Sequence, residues 1–180
     1  MKSVSTNSLE LLKKGELLPH LQQSICQAAK SIFIVGPWID AYFVGKIIDS
    51  IEDENINLSF MVRMEEDNSI DSRTLSALNL ARKNSVNFQA KTLQNLHFKI
   101  ILIDNDIFYM GSTNWYYYSL HKSLELTLTG KTSIIPKINS EMEYYWENGT
   151  LLTDDDLKGH NDTEPIQKDI WTVKKKPFKC

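Results

Sequence analysis

Six polar side chains that together suit phosphoryl transfer fall within thirty residues of one another. They are His97, Lys99, Asp104, Ser112, Asn114 and Glu125. Neutral imidazole is a competent nucleophile, and a covalent intermediate divides one difficult substitution into two easier steps. Because a phosphodiester is anionic, its site also needs positive charge and hydrogen-bond donors around the phosphoryl oxygens. The set therefore predicts phosphoryl transfer through a covalent histidine intermediate.

The inventory of donors and acceptors assigns a role to each of these side chains. Lys99 offers a compact cation with three donors and Asn114 an amide NH₂, so both are candidates to bind the phosphate. Glu125 and Ser112 are candidates to bond the far ring nitrogen of His97, which would fix its tautomer and stabilise the imidazolium. A second acid must protonate the leaving alkoxide, and no other group of the motif can supply it.

Helical and strand patterns alternate through the first half of the chain. The predicted order is a helical segment 8–30 that could be interrupted near Gly15 or Pro19, strand 31–37, helix 39–51, strand 56–62, helix 69–83 and strand 86–93. This α-β-α-β-α-β order predicts an α/β fold with a mixed, largely parallel β-sheet flanked by helices on both faces.

The elements around the polar set explain how it could converge. Two apolar runs, 97–104 and 106–110, predict a hairpin. Since alternate residues of a strand share a face, the histidine and the lysine would project together. The returning strand brings Ser112 and Asn114 back to their neighbourhood, and the following strand contributes the glutamate.

Length and composition set the limits of the domain. The 180 residues fit one domain, and the texture changes after Gly149 to charged and helix-breaking residues. We expect a catalytic domain over residues 1–149 and a polar appendage over 150–180. The net charge of −3 lowers the expectation of a protein that coats DNA by charge alone.

The N-terminal residues lack the apolar core of a signal peptide, and no run approaches the ~20 apolar residues of a membrane span. The two cysteines, Cys26 and Cys180, are far apart, and we expect reduced thiols. A cytoplasmic protein without stable membrane association is the prediction.

The polar set resembles the signature of the phospholipase D superfamily, the "HKD" enzymes. The matching residues are His97-x-Lys99-x₄-Asp104 followed by Gly111-Ser112-x-Asn114, with Glu125 where small bacterial members place a carboxylate that bonds the nucleophilic histidine. The resemblance covers about residues 8–148. It is strongest to single-motif bacterial phosphodiesterases and nucleases, which include one type of metal-independent restriction endonuclease.

The resemblance implies a phospholipase D-like fold and a homodimer, because a chain with one motif needs a second copy to complete a two-histidine site. His97 of one subunit would form the phosphohistidine, and the same residue of the other would protonate the leaving oxygen. Lys99 and Asn114 of both would bind phosphate. The family reaction uses no metal or cofactor, and Asp104 would act structurally or by charge neutralisation.

Several functions remain open at this stage. The first is a nuclease, an endonuclease on DNA or RNA. The second is a phospholipase D or cardiolipin hydrolase acting on lipid, since its motif would be identical. The third is a regulatory module or the catalytic subunit of a restriction or defence assembly that depends on a partner, and the fourth is a toxin.

Residues near the motif also allow two interpretations. Trp115–Tyr118 could be a base-stacking platform, but dense aromatics more often pack in a core or an interface. Trp38 could border the site or pack in the core. His20, His121 and His160 are expected to be surface or structural residues.

Overall fold

Residues 8–160, the part of the chain described by this computed structural model, form one mixed α/β unit. Its strands are β1 (Ser8–Lys13), β2 (Ser31–Val35), β3 (Asn57–Met64), β4 (Asn87–Gln94), β5 (Ile100–Ile103), β6 (Ile107–Gly111), β7 (Leu126–Lys131) and β8 (Thr150–Leu151). Its helices are α1 (Leu17–Cys26), α2 (Ala41–Ile48), α3 (Ser72–Asn84), α4 (Tyr117–His121), α5 (Ile135–Asn148) and α6 (Asp154–Leu157).

The eight described strands form one sheet in the order β1-β7-β6-β5-β2-β3-β4-β8. The pairs β2–β3 and β3–β4 are parallel, whereas the other pairings are antiparallel. The predicted mixed α/β fold is confirmed, but the sheet is mostly antiparallel. The difference arises because the short connection between β5 and β6 can join only antiparallel neighbours, and because β5 also runs antiparallel to β2.

Two hydrophobic cores cover the two faces of the sheet, as predicted. The larger core joins α1, α2 and α3 to inward residues such as Ile34, Phe60 and Ile101. The smaller core lies under α5 and includes Leu102 and Met142. Alternate residues of β5 enter different cores, so this strand is buried on both faces.

The segment predicted as helical over residues 8–30, with an interruption near Gly15 or Pro19 left open, contains a strand and a helix on either side of Gly15. Residues 8–13 form β1, and Gly15 adopts a φ of +86° in the turn before α1. Strand pairing with β7 outweighs the local helical pattern. Cys26 is disulfide-bonded, which corrects the expectation of two reduced thiols; Cys180 lies outside the described residues.

The first residues of the predicted appendage pack with the rest of the domain. Strand β8 pairs with β4, and Leu157 of α6 is fully buried in the larger core. The remainder, residues 161–180, lies outside the described residues. Within residues 8–160, none of the helices has the length and apolar character that a membrane crossing requires.

Candidate active site

The motif residues collect at one edge of the sheet. His97 and Lys99 come directly before β5, Ser112 directly follows β6, and Glu125 directly precedes β7. Since these neighbouring strands are antiparallel, the beginning of β5, the end of β6 and the beginning of β7 meet at the same edge. The predicted convergence therefore occurs for these elements.

A glycine permits the close approach of β6 and β7 at this edge. A Cβ atom on Gly111 would lie 2.1 Å from the carbonyl oxygen of Leu126 and 2.7 Å from the Cα of Thr127. Both contacts are with backbone, which cannot rotate away. The glycine of the motif thus allows Ser112 to reach the strand that carries the glutamate.

The carboxylate of Glu125 is held by two hydroxyl groups. Ser112 Oγ donates to Glu125 Oε2 at 2.5 Å, and Ser119 Oγ donates to Oε1 at 2.9 Å. Ser112 Oγ also accepts the backbone N–H of Leu126 at 3.2 Å. Both oxygens of the carboxylate therefore have a fixed donor, which sets its orientation at the site.

Lys99 is a buried cation beside this carboxylate. Its Nζ donates to the backbone oxygen of His97 at 2.7 Å, so the ammonium lies against the histidine backbone. Burial lowers the pKa of the Lys99 ammonium, and the charge of Glu125 partly opposes this. An ammonium removed from water in this way interacts strongly with an incoming anion.

His97 is exposed, as a nucleophile must be, and its ring meets Trp38 edge-on with the ring centroids 6.0 Å apart. Within the described part of the chain, the imidazole makes no hydrogen bond to Glu125 or Ser112, the two side chains predicted to orient it. Their orienting role stays a prediction. Phe98 packs on the α5 side, next to Tyr145, as the predicted alternation requires.

Asn114 is positioned through its backbone. Its N–H donates to Ser119 Oγ at 3.0 Å, while the buried Oδ1 has no hydrogen-bond partner among residues 8–160. The same part of the chain contains no partner for its amide NH₂. The side-chain amide is therefore not committed to the fold and suits a role in binding substrate.

Asp104 is separated from the other motif residues. Asp104 follows β5, whereas His97 and Lys99 precede this strand. The four residues of β5 span about 13 Å and keep Asp104 away from the histidine and the lysine. Its carboxylate accepts the backbone N–H groups of Ala29, Lys30 and Ser31 at 2.7–2.9 Å. Burial raises the pKa of this carboxyl, but these donors and the charge of Lys30 lower it more, to below its ordinary value.

Sequence reasoning did not identify Ser119, which bonds both the glutamate and the asparagine of the motif. A serine five positions after Asn114 carries no pattern that marks it. Trp115 is fully buried, stacks on Phe43 and donates through Nε1 to the Val35 oxygen, so the core interpretation applies to it. Trp38 borders the site.

A metal site would need several His, Cys, Asp or Glu side chains close together. In the part of the chain that the structure describes, no three His, Cys, Asp or Glu side chains are grouped to hold a metal ion. Metal independence stays a prediction, since it concerns the reaction.

Comparison with known proteins identifies relatives of this architecture. Residues 21–147 match the family described as cardiolipin synthase, PLD-like domain. NucT from Helicobacter pylori shares 19% identity with a TM-score of 0.68, covering 81% of this chain and 99% of its own. Nuc from Salmonella typhimurium, a phospholipase D family member, shares 14% with a TM-score of 0.67, covering 82% and 100%.

A third solved structure with this fold is a phosphatidylserine synthase from Haemophilus influenzae, with 14% identity and a TM-score of 0.65. The match covers 84% of this chain but only 41% of the synthase. No curated protein matches the chain. At these identities the structural likeness establishes the fold.

Proposed function

The chain belongs to the phospholipase D-like domain family, whose members cleave or transfer phosphodiesters, and on that premise we propose that it is a metal-independent nuclease acting on DNA or RNA. The observation that carries this proposal is the arrangement at the sheet edge. The ammonium of Lys99 bonds the backbone of the exposed His97, and two hydroxyl groups fix the carboxylate of Glu125. The backbone of Asn114 bonds one of these hydroxyls, and its side-chain oxygen has no partner among residues 8–160. These are the groups that attack on a phosphodiester requires.

The proposed reaction proceeds in two displacements at phosphorus. A ring nitrogen of His97 attacks, the bond to the leaving alkoxide breaks, and that oxygen takes a proton from an acid. Lys99 and Asn114 hold the non-bridging oxygens, where negative charge develops. Water then attacks the phosphohistidine, and the histidine leaves as a neutral imidazole once a base has accepted a proton from the water.

The acid of the first step comes from a second copy of the chain. Of the other described histidines, His20 Nδ1 bonds Tyr109 and His121 Nε2 bonds Tyr42, each at 2.8 Å, and His160 lies beside α3, where its backbone oxygen accepts from Asn79. We assign the acid to His97 of the partner subunit, which would face the nucleophile across a two-fold axis. The active unit in this proposal is a homodimer.

An exposed apolar surface beside the site supports self-association. It is formed by Leu9 and Leu11 of β1, Met110 of β6 and Leu126 of β7, which are 44–60% exposed. We call these four residues the apolar strand face. The cross-strand pairing of Leu11 with Leu128 and of Leu128 with Met110 places them on one side of the sheet. Exposed apolar groups of this kind favour association.

The relatives support a nucleic acid substrate over a lipid. The chain covers almost the whole of NucT and Nuc, whose names mark nucleases, but less than half of the phosphatidylserine synthase. Lipid phosphodiester hydrolysis remains the second candidate, because the matched family is described as cardiolipin synthase. That the chain is a catalytic subunit that depends on a partner stays a prediction. Its location in the cytoplasm also stays a prediction.

An assay in EDTA of the wild-type protein and His97→Ala tests the proposal. Single-stranded DNA, duplex DNA, RNA and cardiolipin vesicles are the substrates. We expect nucleic acid cleavage that depends on His97 and persists in chelator. Cleavage of cardiolipin alone would establish the second candidate. A requirement for added magnesium would reject the metal-free mechanism, and full activity of His97→Ala would reject the nucleophile.

A further inference from the structure

A group of aromatic and basic side chains lies on α2 and α4, beside the candidate site. On α4, Ser119 and Leu120 are buried, Tyr117 and His121 are half-buried, and Tyr118 and the following Lys122 are exposed. Tyr118 is 62% exposed. We call Tyr117, Tyr118, His121, Lys122 and Lys46 of α2 the aromatic–lysine surface.

Ring contacts hold this surface together. Tyr117 and His121 have centroids 4.8 Å apart, and Tyr42 packs edge-on against Tyr117 at 5.0 Å. Tyr42 also bonds His121 Nε2 through its hydroxyl. These contacts fix the rings of Tyr42, Tyr117 and His121, and the exposed Tyr118 follows Tyr117 directly in the chain.

Positive charge lies on both sides of the rings. Lys46 Nζ is 5.6 Å from the centroid of Tyr42, and Lys14 Nζ donates to the Lys122 oxygen at 3.1 Å. Burial lowers the pKa of His121, and the charges of Lys122 and Lys46 lower it further. The nearby carboxylate of Asp40 accepts the backbone N–H groups of Phe43 and Tyr117, at the beginnings of α2 and α4.

Hydrogen bonds and a ring contact link the surface to the candidate site. Tyr117 N–H donates to Asp40 Oδ2 at 2.8 Å, and Asp40 lies two residues after Trp38, which contacts the nucleophile His97. Helix α4 also contains Ser119, which bonds the glutamate and the asparagine of the motif. A chain seated on this surface would therefore leave it next to the reacting groups.

Aromatic rings interleaved with lysines match the chemistry of an unpaired nucleic acid strand. Bases of a single strand expose their faces for stacking, and lysines follow its phosphates, whereas a duplex keeps its bases inside. Resting on the proposed nuclease activity, we infer that the aromatic–lysine surface binds a single-stranded segment of DNA or RNA and feeds its backbone to the site.

Binding can be measured in the His97→Ala background, where the strand stays intact. Fluorescence anisotropy would follow labelled single-stranded DNA, single-stranded RNA and duplex DNA. We expect Tyr118→Ala to weaken single-strand binding roughly 5- to 100-fold, the range of a lost stacking contact. The matched control is Tyr144→Ala on α5, which is 61% exposed and should bind as the parent does.

The lysines are tested by the salt dependence of binding. Lys122→Ala should reduce the slope of log K against log salt by about 0.7, the value for one phosphate contact with a single strand. Lys137→Ala, an exposed lysine of α5, should leave the slope unchanged. The affinities for single-stranded DNA and single-stranded RNA show which sugar, deoxyribose or ribose, the surface accepts.

Three results would overturn the inference. The first is equal binding by the Tyr118→Ala and Tyr144→Ala proteins. The second is a loss of affinity for duplex as large as that for single strands. The third is a change in sedimentation of Tyr118→Ala, because this tyrosine would then belong to a contact between copies.

A small diester separates this inference from the proposed function. Bis(4-nitrophenyl) phosphate carries no bases and is too short to span the surface. Tyr118→Ala should hydrolyse it at the wild-type rate, and His97→Ala should not hydrolyse it. A diester hydrolysed independently of His97 would reject the proposed catalytic site, whereas the binding measurements judge the surface alone.

Discussion

Two acidic residues of the motif region, Glu125 and Asp104, have different surroundings because they lie at opposite edges of the sheet, Glu125 before β7 and Asp104 after β5. Glu125 is held by hydroxyl donors beside the buried ammonium of Lys99. Asp104 accepts three backbone N–H groups in the connection between α1 and β2. The first can act on substrate, and the second stabilises the fold.

Replacing Asp104 tests this division. Asp104→Ala should lower the free energy of unfolding by about 2 kcal/mol or more, because charged hydrogen bonds are lost. The residue also has a φ of +55°, where alanine is strained. Asp104→Asn tolerates this conformation and keeps one acceptor, so its loss should be smaller, about 1 kcal/mol. Urea unfolding measures both, and turnover per folded molecule should stay near wild type.

The pH dependence of this effect has a definite sign. Since the pKa of Asp104 is lower in the folded protein than the ordinary 3.8, its ionised form stabilises the fold above that value. The stability difference between wild type and Asp104→Asn should therefore shrink as pH falls through 3.8 and below. The control is Asp106→Asn in the same turn, which removes only an exposed ion pair with Lys131. Loss of turnover with unchanged stability would instead give Asp104 a chemical role.

Helix α4 acts as a connector between the motif and β7. It has only five residues, and it is tied to the sheet through Ser119 and Leu120, which are buried. The hydroxyl of Ser119 donates a hydrogen bond to Glu125 and accepts one from the backbone N–H of Asn114. A shift of this short helix would therefore move the carboxylate and the amide together.

Ser119→Ala should reduce kcat about tenfold, the equivalent of one lost net hydrogen bond of ~1.4 kcal/mol, with a smaller change in KM. The reason is that Glu125 loses a fixed donor, while the cation that binds the phosphate is untouched. Steady-state kinetics on the small diester measures the two constants. Ser123→Ala, two residues after α4, is the matched control and should behave as wild type. If Ser119→Ala lowered the folded fraction and the activity equally, the role of Ser119 would be structural only.

The proposed reaction needs two groups, a nucleophile and an acid. The single motif of one chain supplies only one imidazole at the sheet edge. The apolar strand face lies directly beside that edge, since Leu126 follows Glu125. The geometry of a two-fold dimer would place two copies of the site in contact.

Mixing wild-type and His97→Ala subunits tests this requirement. If both histidines act in one site, only wild-type homodimers turn over. After exchange at equal concentrations, activity should fall to about one quarter of the unmixed wild type at the same total protein concentration. Independent monomers would retain about one half. The mixture is assayed on the small diester after sedimentation confirms exchange.

The family and the local elements of the site could be predicted from sequence because they depend on residue types and short spacings, whereas the chemistry stays a prediction. The motif from His97 to Asn114 lies on a hairpin, so fewer than twenty residues determine its own convergence. The alternation that sends Phe98 and Leu102 to one core is likewise local. Family membership was confirmed over residues 21–147, a range that includes the motif.

Strand directions and hydrogen-bond partners depended on contacts distant in sequence. Residues 8–13 have a helical pattern, but pairing with β7, more than 110 positions later, makes them a strand. Asp104 belongs to the motif by spacing, yet its partners Ala29–Ser31 lie about 75 residues before it. Sequence alone determined which reactive groups the protein possesses. Which of these reactive groups come together depends on the tertiary structure. The reason is that packing across the sheet, and not separation along the chain, sets the partners of each side chain.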